Sequence, residues 1–182
     1  MKNAPDKNLL RDHYKRVLNT LPEDRRVQAA QLALQSLTAL TTPFEYILSF
    51  SPILSEIDLS TLNAFLADQG KLVLPRVNGA DLDLYLVDDI LNQTKPSSWG
   101  VLEPDPKLCQ SFDKNDAELA LVPALAFDSH NHRLGRGKGI YDRFLKQFQC
   151  KNTYGIGYQE QFSQRCIPVD QWDVQLAGVF LF

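Results

Sequence analysis

Cysteine is scarce in this chain. Cys109, Cys150 and Cys166 are the three in 182 residues, widely separated and without a C-x-x-C pair. An odd number so arranged excludes a disulfide framework and a zinc finger, and suits reduced thiols in a cytoplasmic protein. Long apolar runs are missing as well. No segment is apolar for long enough to span a bilayer, and the opening Met1-Lys-Asn-Ala-Pro-Asp-Lys7 lacks the apolar core of a signal peptide, so no membrane partner is expected. Nor is there an excess of positive charge. Nineteen Lys and Arg against 22 Asp and Glu leave a net charge of −3, which argues against a nucleic-acid partner. Any cation with a task must act locally. Internal repeats, low-complexity stretches and an interdomain linker are all absent, and no Ser-His-Asp or Cys-His arrangement for covalent catalysis stands out.

What remains is an ordinary globular composition, 44% hydrophobic and 23% charged, enough for one domain over residues 1–182. Residues 6–19 read as a helix, and Leu10, Tyr14, Val17 and Leu21 fall on one face, with Lys7 and Arg11 flanking it one turn apart. Thr20-Leu-Pro-Glu23 reads as a capping box opening a second helix that runs to about Leu40. Residues 45–50 read as a strand. Ser55 reads as the cap of a third helix starting near Glu56 and ending before Gly70. Residues 71–74 form a strand stopped by Pro75, and Leu82, Leu84 and Leu86 alternate as in another. Residues 91–116 are a long polar connection, and residues 153–157 and 178–182 supply later strands. Alternating helices and strands predict a three-layer α/β/α sandwich with a mostly parallel sheet. Ligands of such sheets sit at the carboxyl ends of strands, which brings Ser51 to Glu56, the Pro75-Arg76 turn and the segment described next to one edge.

That segment begins with an apolar run over residues 119–127, interrupted by Pro123, and continues through a polar turn into Arg133-Leu-Gly-Arg-Gly-Lys-Gly139. A helix follows, with Ile140, Phe144, Leu145 and Phe148 at helical spacing. Alternate glycines strip side chains from one edge and let backbone N–H groups approach a ligand, while Arg133, Arg136 and Lys138 add positive charge. A loop of this kind opening a helix is a polyphosphate cradle, with a solvated surface turn as the plain alternative. It is not a P-loop, because Lys138 is followed by Gly139 and His132 stands where the first glycine belongs. Nor is it a dinucleotide fingerprint, since Ile140 stands at the third glycine.

Pro123-Ala-Leu-Ala-Phe-Asp128 followed by Arg133-Leu-Gly-Arg-Gly-Lys-Gly-Ile-Tyr-Asp-Arg143 resembles the signature of the 5-formyltetrahydrofolate cyclo-ligases, also called methenyltetrahydrofolate synthetases. The resemblance covers nearly the whole chain. Lys7 with Arg11, Ser55-Glu56-Ile57, Lys71-Leu-Val-Leu-Pro-Arg76, Trp99-Gly-Val-Leu-Glu-Pro104, Gly155-Ile-Gly-Tyr158 with Gln161, and Trp172-Asp-Val174 follow in family order. It implies an enzyme that closes 5-formyltetrahydrofolate to 5,10-methenyltetrahydrofolate while ATP becomes ADP and phosphate, with Mg²⁺ as cofactor. It also implies the site. Lys7 and Arg11 would bind ATP together with Arg133, Leu134, Gly135, Arg136, Gly137, Lys138, Gly139, Ile140 and Tyr141. Glu56 would bind the folate, bordered by Arg136, Gly137, Lys138, Gly139 and Ile140, with Arg136 and Lys138 as the catalytic cations. Asp142 and Asp173 match the family's magnesium carboxylates. Small-molecule substrates and a monomer are expected.

Taken without the resemblance, Lys7 and Arg11 read as a solvated basic edge, Asp142 as a helix-start or Arg143-paired carboxylate, and Asp173 as a turn aspartate. Tyr158 and Trp99 are candidate ring-stacking neighbours, although core aromatics are commoner. His130-x-His132 beside Asp128 has a spacing that a transition metal could use, but two histidines in a polar turn are more often solvated; His13 borders the first helix's apolar face. Three features depart from the family pattern. Ile140 replaces the first of two tyrosines, Trp172 replaces a polar residue, and the segment between Ser49 and Glu56 is longer than usual. Competing readings are a folate buffer without turnover, which would not need a phosphate site, and an RNA-binding Arg-Gly element, which one short copy in an acidic chain disfavours.

Overall fold

The structure is a computed structural model and describes residues 6–53, 55–98 and 100–182. Trp99 therefore lies outside the described residues. Helices α1 (Lys7–Asn19) and α2 (Glu23–Thr41) precede strand β1 (Ile47–Leu48), and α3 (Ser60–Asp68) leads to β2 (Leu72–Asn78) and β3 (Asp81–Leu86). The connection after β3 is folded rather than irregular. It holds a short α4 (Ile90–Gln93), the hairpin of β4 (Thr94–Pro96) with β5 (Leu102–Pro104), and β6 (Gln110–Phe112). Then come β7 (Leu119–Val122), β8 (Ala126–Asp128), β9 (Arg133–Leu134), α5 (Ile140–Gln147), β10 (Thr153–Gly157), β11 (Phe162–Ser163) and β12 (Gly178–Leu181).

Seven strands form the central sheet in the order β12-β10-β7-β1-β2-β3-β6. The strands from β12 to β2 run parallel, and β3 and β6 close one edge antiparallel. Both faces are covered, as a parallel sheet requires. Ile47, Leu72, Leu119 and Leu121 point to a core shared with Leu18 of α1, Leu37 of α2 and Leu66 of α3. Their chain neighbours Leu48, Val73, Ala120 and Val122 point the other way, against Phe144 and Leu145 of α5 and Phe148 just after it. Period-two side-chain alternation thus sorts each strand between two helical layers, which is the expected three-layer arrangement. Leu37 and Leu66 are fully excluded from solvent, so truncating either to alanine costs about 2–5 kcal/mol.

Three local expectations need correction. Thr20 does not open α2: its hydroxyl donates to Arg16 O (3.1 Å) and Val17 O (3.0 Å), closing α1, and Pro22 is the N-cap of α2 without a side-chain bond. Ser55 does not cap α3, which begins five residues later behind Leu59; Glu56 N donates to Ile53 O in a turn instead. Pro75 does not stop its strand. β1 pairs with β2 only at Leu72 and Val73, so beyond them that edge of β2 is open and the missing N–H of Pro75 breaks no ladder bond to β1.

The sheet also locates the crevice. From β1 the chain moves outward through β2 and β3, then returns to β7 on the other flank of β1. Such a reversal is the topological switch point at which open α/β sheets leave room for ligands. Buried polar bonds shape the two strand ends there. Ser49 Oγ lies 2.6 Å from Asn63 Oδ1, and Asn63 Nδ2 donates to Phe50 O at 2.9 Å. Gln161 accepts from Tyr158 N (2.7 Å) and donates to Ala124 O (2.6 Å), joining the ends of β10 and β7. A Cβ at Gly157 would stand 2.3 Å from the Gln161 Oε1, so only glycine lets this amide seat.

Candidate active site

Beyond the carboxyl ends of β1 and β7 lies a cavity of about 390 Å³. Its walls are largely apolar, with Phe50, Pro75, Val77, Leu82, Ile140 and Tyr141. Into it faces Glu56, whose side chain is 10% exposed. Glu56 Oε2 accepts from Ile53 N at 3.2 Å, and Oε1 accepts from Arg136 Nε (3.3 Å) and Nη2 (3.2 Å). The same Nη2 donates to Ser55 Oγ at 2.8 Å. Burial pushes the Glu56 carboxyl above the usual glutamate value, and the Arg136 charge and the Ile53 N–H oppose that rise. The phenol of Tyr141 is pushed up by burial as well, with the Glu56 charge adding to it. A largely apolar slot in which the Glu56 carboxylate meets the Arg136 guanidinium suits a flat organic ring that carries N–H donors.

A second cavity, of about 470 Å³, lies across the glycine loop and is cationic. Lys7, Arg11, Arg143 and Lys146 line it together with Asp142, Asp170 and Asp173. Lys7 Nζ is 2.5 Å from Asp173 Oδ2 and 3.0 Å from Asp170 Oδ2. Burial disfavours the Lys7 charge, but these two carboxylates outweigh it and raise its pKa. Arg11 Nε donates to Gly135 O at 3.0 Å, tying α1 to the loop. Lys146 lies 4.2 Å from the centre of the Trp172 ring and donates to Gln171 O.

The wall between the two cavities is the glycine loop. Arg133, Gly135, Lys138, Gly139 and Asp142 line both. Gly137 (φ 104°) and Gly139 (φ 65°) sit in the left-handed region, and Gly139 is the N-cap of α5. A side chain there would be strained, and its Cβ would press on Arg143 Nη1 at 3.0 Å. The loop therefore delivers the first turn of α5, where N–H groups have no intrahelical acceptor and an anion is favoured. Arg133 supports this wall from behind. Its side chain is 3% exposed and its Nη2 is 2.5 Å from Asp142 Oδ1, while its Nε is buried without a hydrogen-bond partner. Burial lowers the Arg133 pKa, and the charges of Asp142 and Asp173 counter that. Both aspartates thus lie within electrostatic reach of one guanidinium. Their oxygens are the hard donors Mg²⁺ prefers, so the residue types fit that ion, but each carboxylate already neutralises a cationic side chain.

The residues singled out from sequence are divided by the structure. Lys7, Arg11, Gly137 and Asp173 belong to the cationic cavity, and Glu56, Arg136, Ile140 and Tyr141 to the apolar one. Leu134 contributes backbone to the cationic wall while its side chain is 1% exposed in the core. Tyr158 is no stacking partner. It is a core residue, 1% exposed, whose hydroxyl donates to Glu56 O at 3.0 Å and so holds the glutamate's backbone. Ser51 and Pro75 line the apolar cavity as expected, whereas Arg76 donates to Pro104 O. His13 is exposed and meets Tyr14 edge-on. Sequence reading missed Asp170, Arg143 and Lys146 as lining residues. The pair Asp170-x-x-Asp173 and the one-turn spacing of Asp142 and Lys146 were the available signals.

A switch-point crevice split by a glycine loop into an apolar and a cationic half has the layout that suits an organic ligand and an anion side by side. The sequence model of the 5-formyltetrahydrofolate cyclo-ligase family matches residues 3–181. A 5-formyltetrahydrofolate cyclo-ligase of Mycoplasma pneumoniae is 29% identical over 176 residues, 94% of this chain and 95% of that one. The Haemophilus influenzae 5-formyltetrahydrofolate cyclo-ligase is 32% identical over 98 residues, and there the match spans about half of each protein, 53% of this chain and 51% of the relative. Among solved structures, the Aquifex aeolicus 5,10-methenyltetrahydrofolate synthetase superposes with a TM-score of 0.82 at 29% identity, covering 93% of this chain and 86% of that one. The chain belongs to the 5-formyltetrahydrofolate cyclo-ligase family.

Proposed function

We propose that the protein cyclises 5-formyltetrahydrofolate to 5,10-methenyltetrahydrofolate while ATP becomes ADP and phosphate. The observation that carries this reading is the glycine loop standing as a common wall of two chemically opposite cavities. A formamide oxygen is a poor leaving group. Its attack on the γ-phosphorus breaks the bond to the β-phosphate oxygen and gives an iminium-type carbon bearing phosphate. N10 then attacks that carbon, loses its proton, and the C–O bond breaks to release phosphate. No nucleophilic side chain is needed; the protein must align formyl oxygen with γ-phosphate and neutralise developing charge.

In this reading the pterin lies in the apolar cavity with its N–H edge on Glu56, displacing Arg136 from that carboxylate. The freed guanidinium, with Lys138, then turns to the transferring phosphate. Lys7, Arg11 and the loop hold the triphosphate. Arg133 positions Asp142 through their ion pair, and Asp142 and Asp173 would hold Mg²⁺, whose charge supplies further neutralisation of the phosphates. The cationic side chains beside both carboxylates make bare Mg²⁺ a weak ligand, so metal and nucleotide arrive together. The reading carries one domain acting as a monomer on small molecules in the cytoplasm; free Cys109, Cys150 and Cys166 suit a reducing compartment. Among the described residues no helix is long and apolar enough to cross a membrane.

The test follows the product's own absorption. With 5-formyltetrahydrofolate and Mg²⁺ present, adding ATP is expected to raise the methenyltetrahydrofolate band, and chelating Mg²⁺ is expected to stop it. A flat trace from folded protein would refute the reading.

A further inference from the structure

Away from both cavities, the turn between β8 and β9 gathers a set of donors that the proposed reaction does not use. β8 and β9 pair antiparallel through Phe127 and Arg133, with Asp128 N donating to His132 O at 3.1 Å. Asn131 takes a left-handed conformation (φ 61°), as the last residue of a three-residue hairpin loop commonly does. The result is that the two imidazoles of His130 and His132 lie roughly parallel, 29° apart in plane with centroids separated by 6.1 Å. The Asp128 side chain is fully excluded from solvent between them and the following segment.

Two details point beyond a solvated turn. His132 Nδ1 is buried and makes no hydrogen bond, although it lies 3.4 Å from Asp128 Oδ2. Leaving such an atom unsatisfied is costly, and so calls for a partner. That separation is also close to the edge of a coordination polyhedron, since Zn–N and Zn–O bonds near 2 Å at a tetrahedral angle put neighbouring ligand atoms about 3.3 Å apart. One ligand atom each from Asp128, His130 and His132 falls within 4.8 Å of the others. The carboxylate is held for the purpose by three backbone donors. Oδ1 accepts from His130 N (2.9 Å) and His132 N (3.0 Å), and Oδ2 accepts from Ile167 N (2.8 Å). Outer contacts of this kind are what orient metal ligands. Exposed His130 leaves one side open to solvent, and the Cys166 thiol stands beside it with Sγ 3.7 Å from Nδ1.

We propose that Asp128, His130 and His132 form a site for a divalent transition metal of the zinc class, separate from the carboxylates that would serve Mg²⁺. Two imidazoles and one carboxylate select borderline ions over Mg²⁺, which prefers oxygen alone. Bound there, the ion satisfies the orphaned nitrogen and fastens the hairpin that feeds the glycine loop.

The test uses the full chain stripped of metal. Competition with a chromophoric chelator is expected to show one Zn²⁺ per chain, and Co²⁺ is expected to give visible d–d absorption that Zn²⁺ quenches and excess Mg²⁺ does not. His130→Gln alone and the His130→Gln/His132→Gln pair are expected to weaken Zn²⁺ at least tenfold while the metal-free melting temperature stays unchanged for His130→Gln. Cys166→Ser is expected to keep the site. Wild-type affinity in the double variant, displacement of Co²⁺ by Mg²⁺, or loss in Cys166→Ser with retention in the histidine variants would each overturn the proposal.

Discussion

The two cavities across the glycine loop differ in how their charges are kept. In the apolar cavity the Glu56 carboxyl stands against largely hydrocarbon walls, pushed upward by burial and restrained by Arg136. In the cationic cavity Lys7 pairs with Asp173 and Asp170 and Arg133 with Asp142, while Arg11, Arg143 and Lys146 donate to backbone carbonyls. One half is strained toward a ligand that would relieve a buried carboxylate. The other carries an excess of positive charge that a polyanion would neutralise. In the proposed reading the difference separates recognition in the apolar half from charge neutralisation in the cationic half, with the shared loop where the two meet.

The largest effect expected from breaking this arrangement is at its support. Arg133→Leu leaves Asp142 without its buried partner and is expected to lower stability by about 3 kcal/mol in urea denaturation, with loss of turnover. Next comes the wall itself. Lys138→Ala and Arg136→Ala are each expected to cut turnover at least about tenfold, or some 1.4 kcal/mol of barrier, with unchanged circular dichroism; near-normal rates in both would remove the loop from the chemistry. A crossed pair of variants then sharpens the contrast between the halves. Lys7→Ala is expected to raise the KM for ATP several-fold and leave that for folate, and Glu56→Gln to do the reverse, as initial rates at varied concentrations of each substrate would reveal.

The smallest effect is a pH slope. A carboxyl whose folded pKa is raised binds more protons in the native state than in the unfolded one, so stability falls as pH rises from the ordinary value of 4.5 through the raised one. Denaturation midpoints measured upward from pH 4.5 should decline more steeply in wild type than in Glu56→Gln. Parallel slopes would mean that Glu56 is not under this burden.

Much of the frame was legible in the sequence because it rests on local periodicity. The alternation of Leu82, Leu84 and Leu86 and the helix after the glycines appear where the pattern put them, and α1 buries Tyr14 as expected but Leu18 in place of Val17. The misreadings had different causes, a local cap at Thr20, a contact far along the chain at Ser55 and an unpaired strand edge at Pro75. Ser55 looks like a helix cap, but its hydroxyl receives Arg136 from 81 residues away. Pro75 looks like a strand end, but the open edge of β2 tolerates it. Tyr158, for which the sequence allows ring stacking or the commoner core role, lies in the core with its hydroxyl on a backbone carbonyl. The candidate site was legible as a set of residues through the glycine-arginine motif, and not as two cavities. Arg133 sits in the same motif as Arg136, and only the fold distinguishes a buried strut from an exposed latch.

The central claim is that two ligands meet at the wall between two cavities, and a structure of the protein with 5-formyltetrahydrofolate and a non-hydrolysable ATP analogue with Mg²⁺ tests it most directly. The account predicts the pterin on Glu56 in the apolar half, the triphosphate among Lys7, Arg11 and the loop, and formyl oxygen facing γ-phosphate at residues 135–139. Both ligands in one cavity, or a formyl group turned away from the loop, would contradict it.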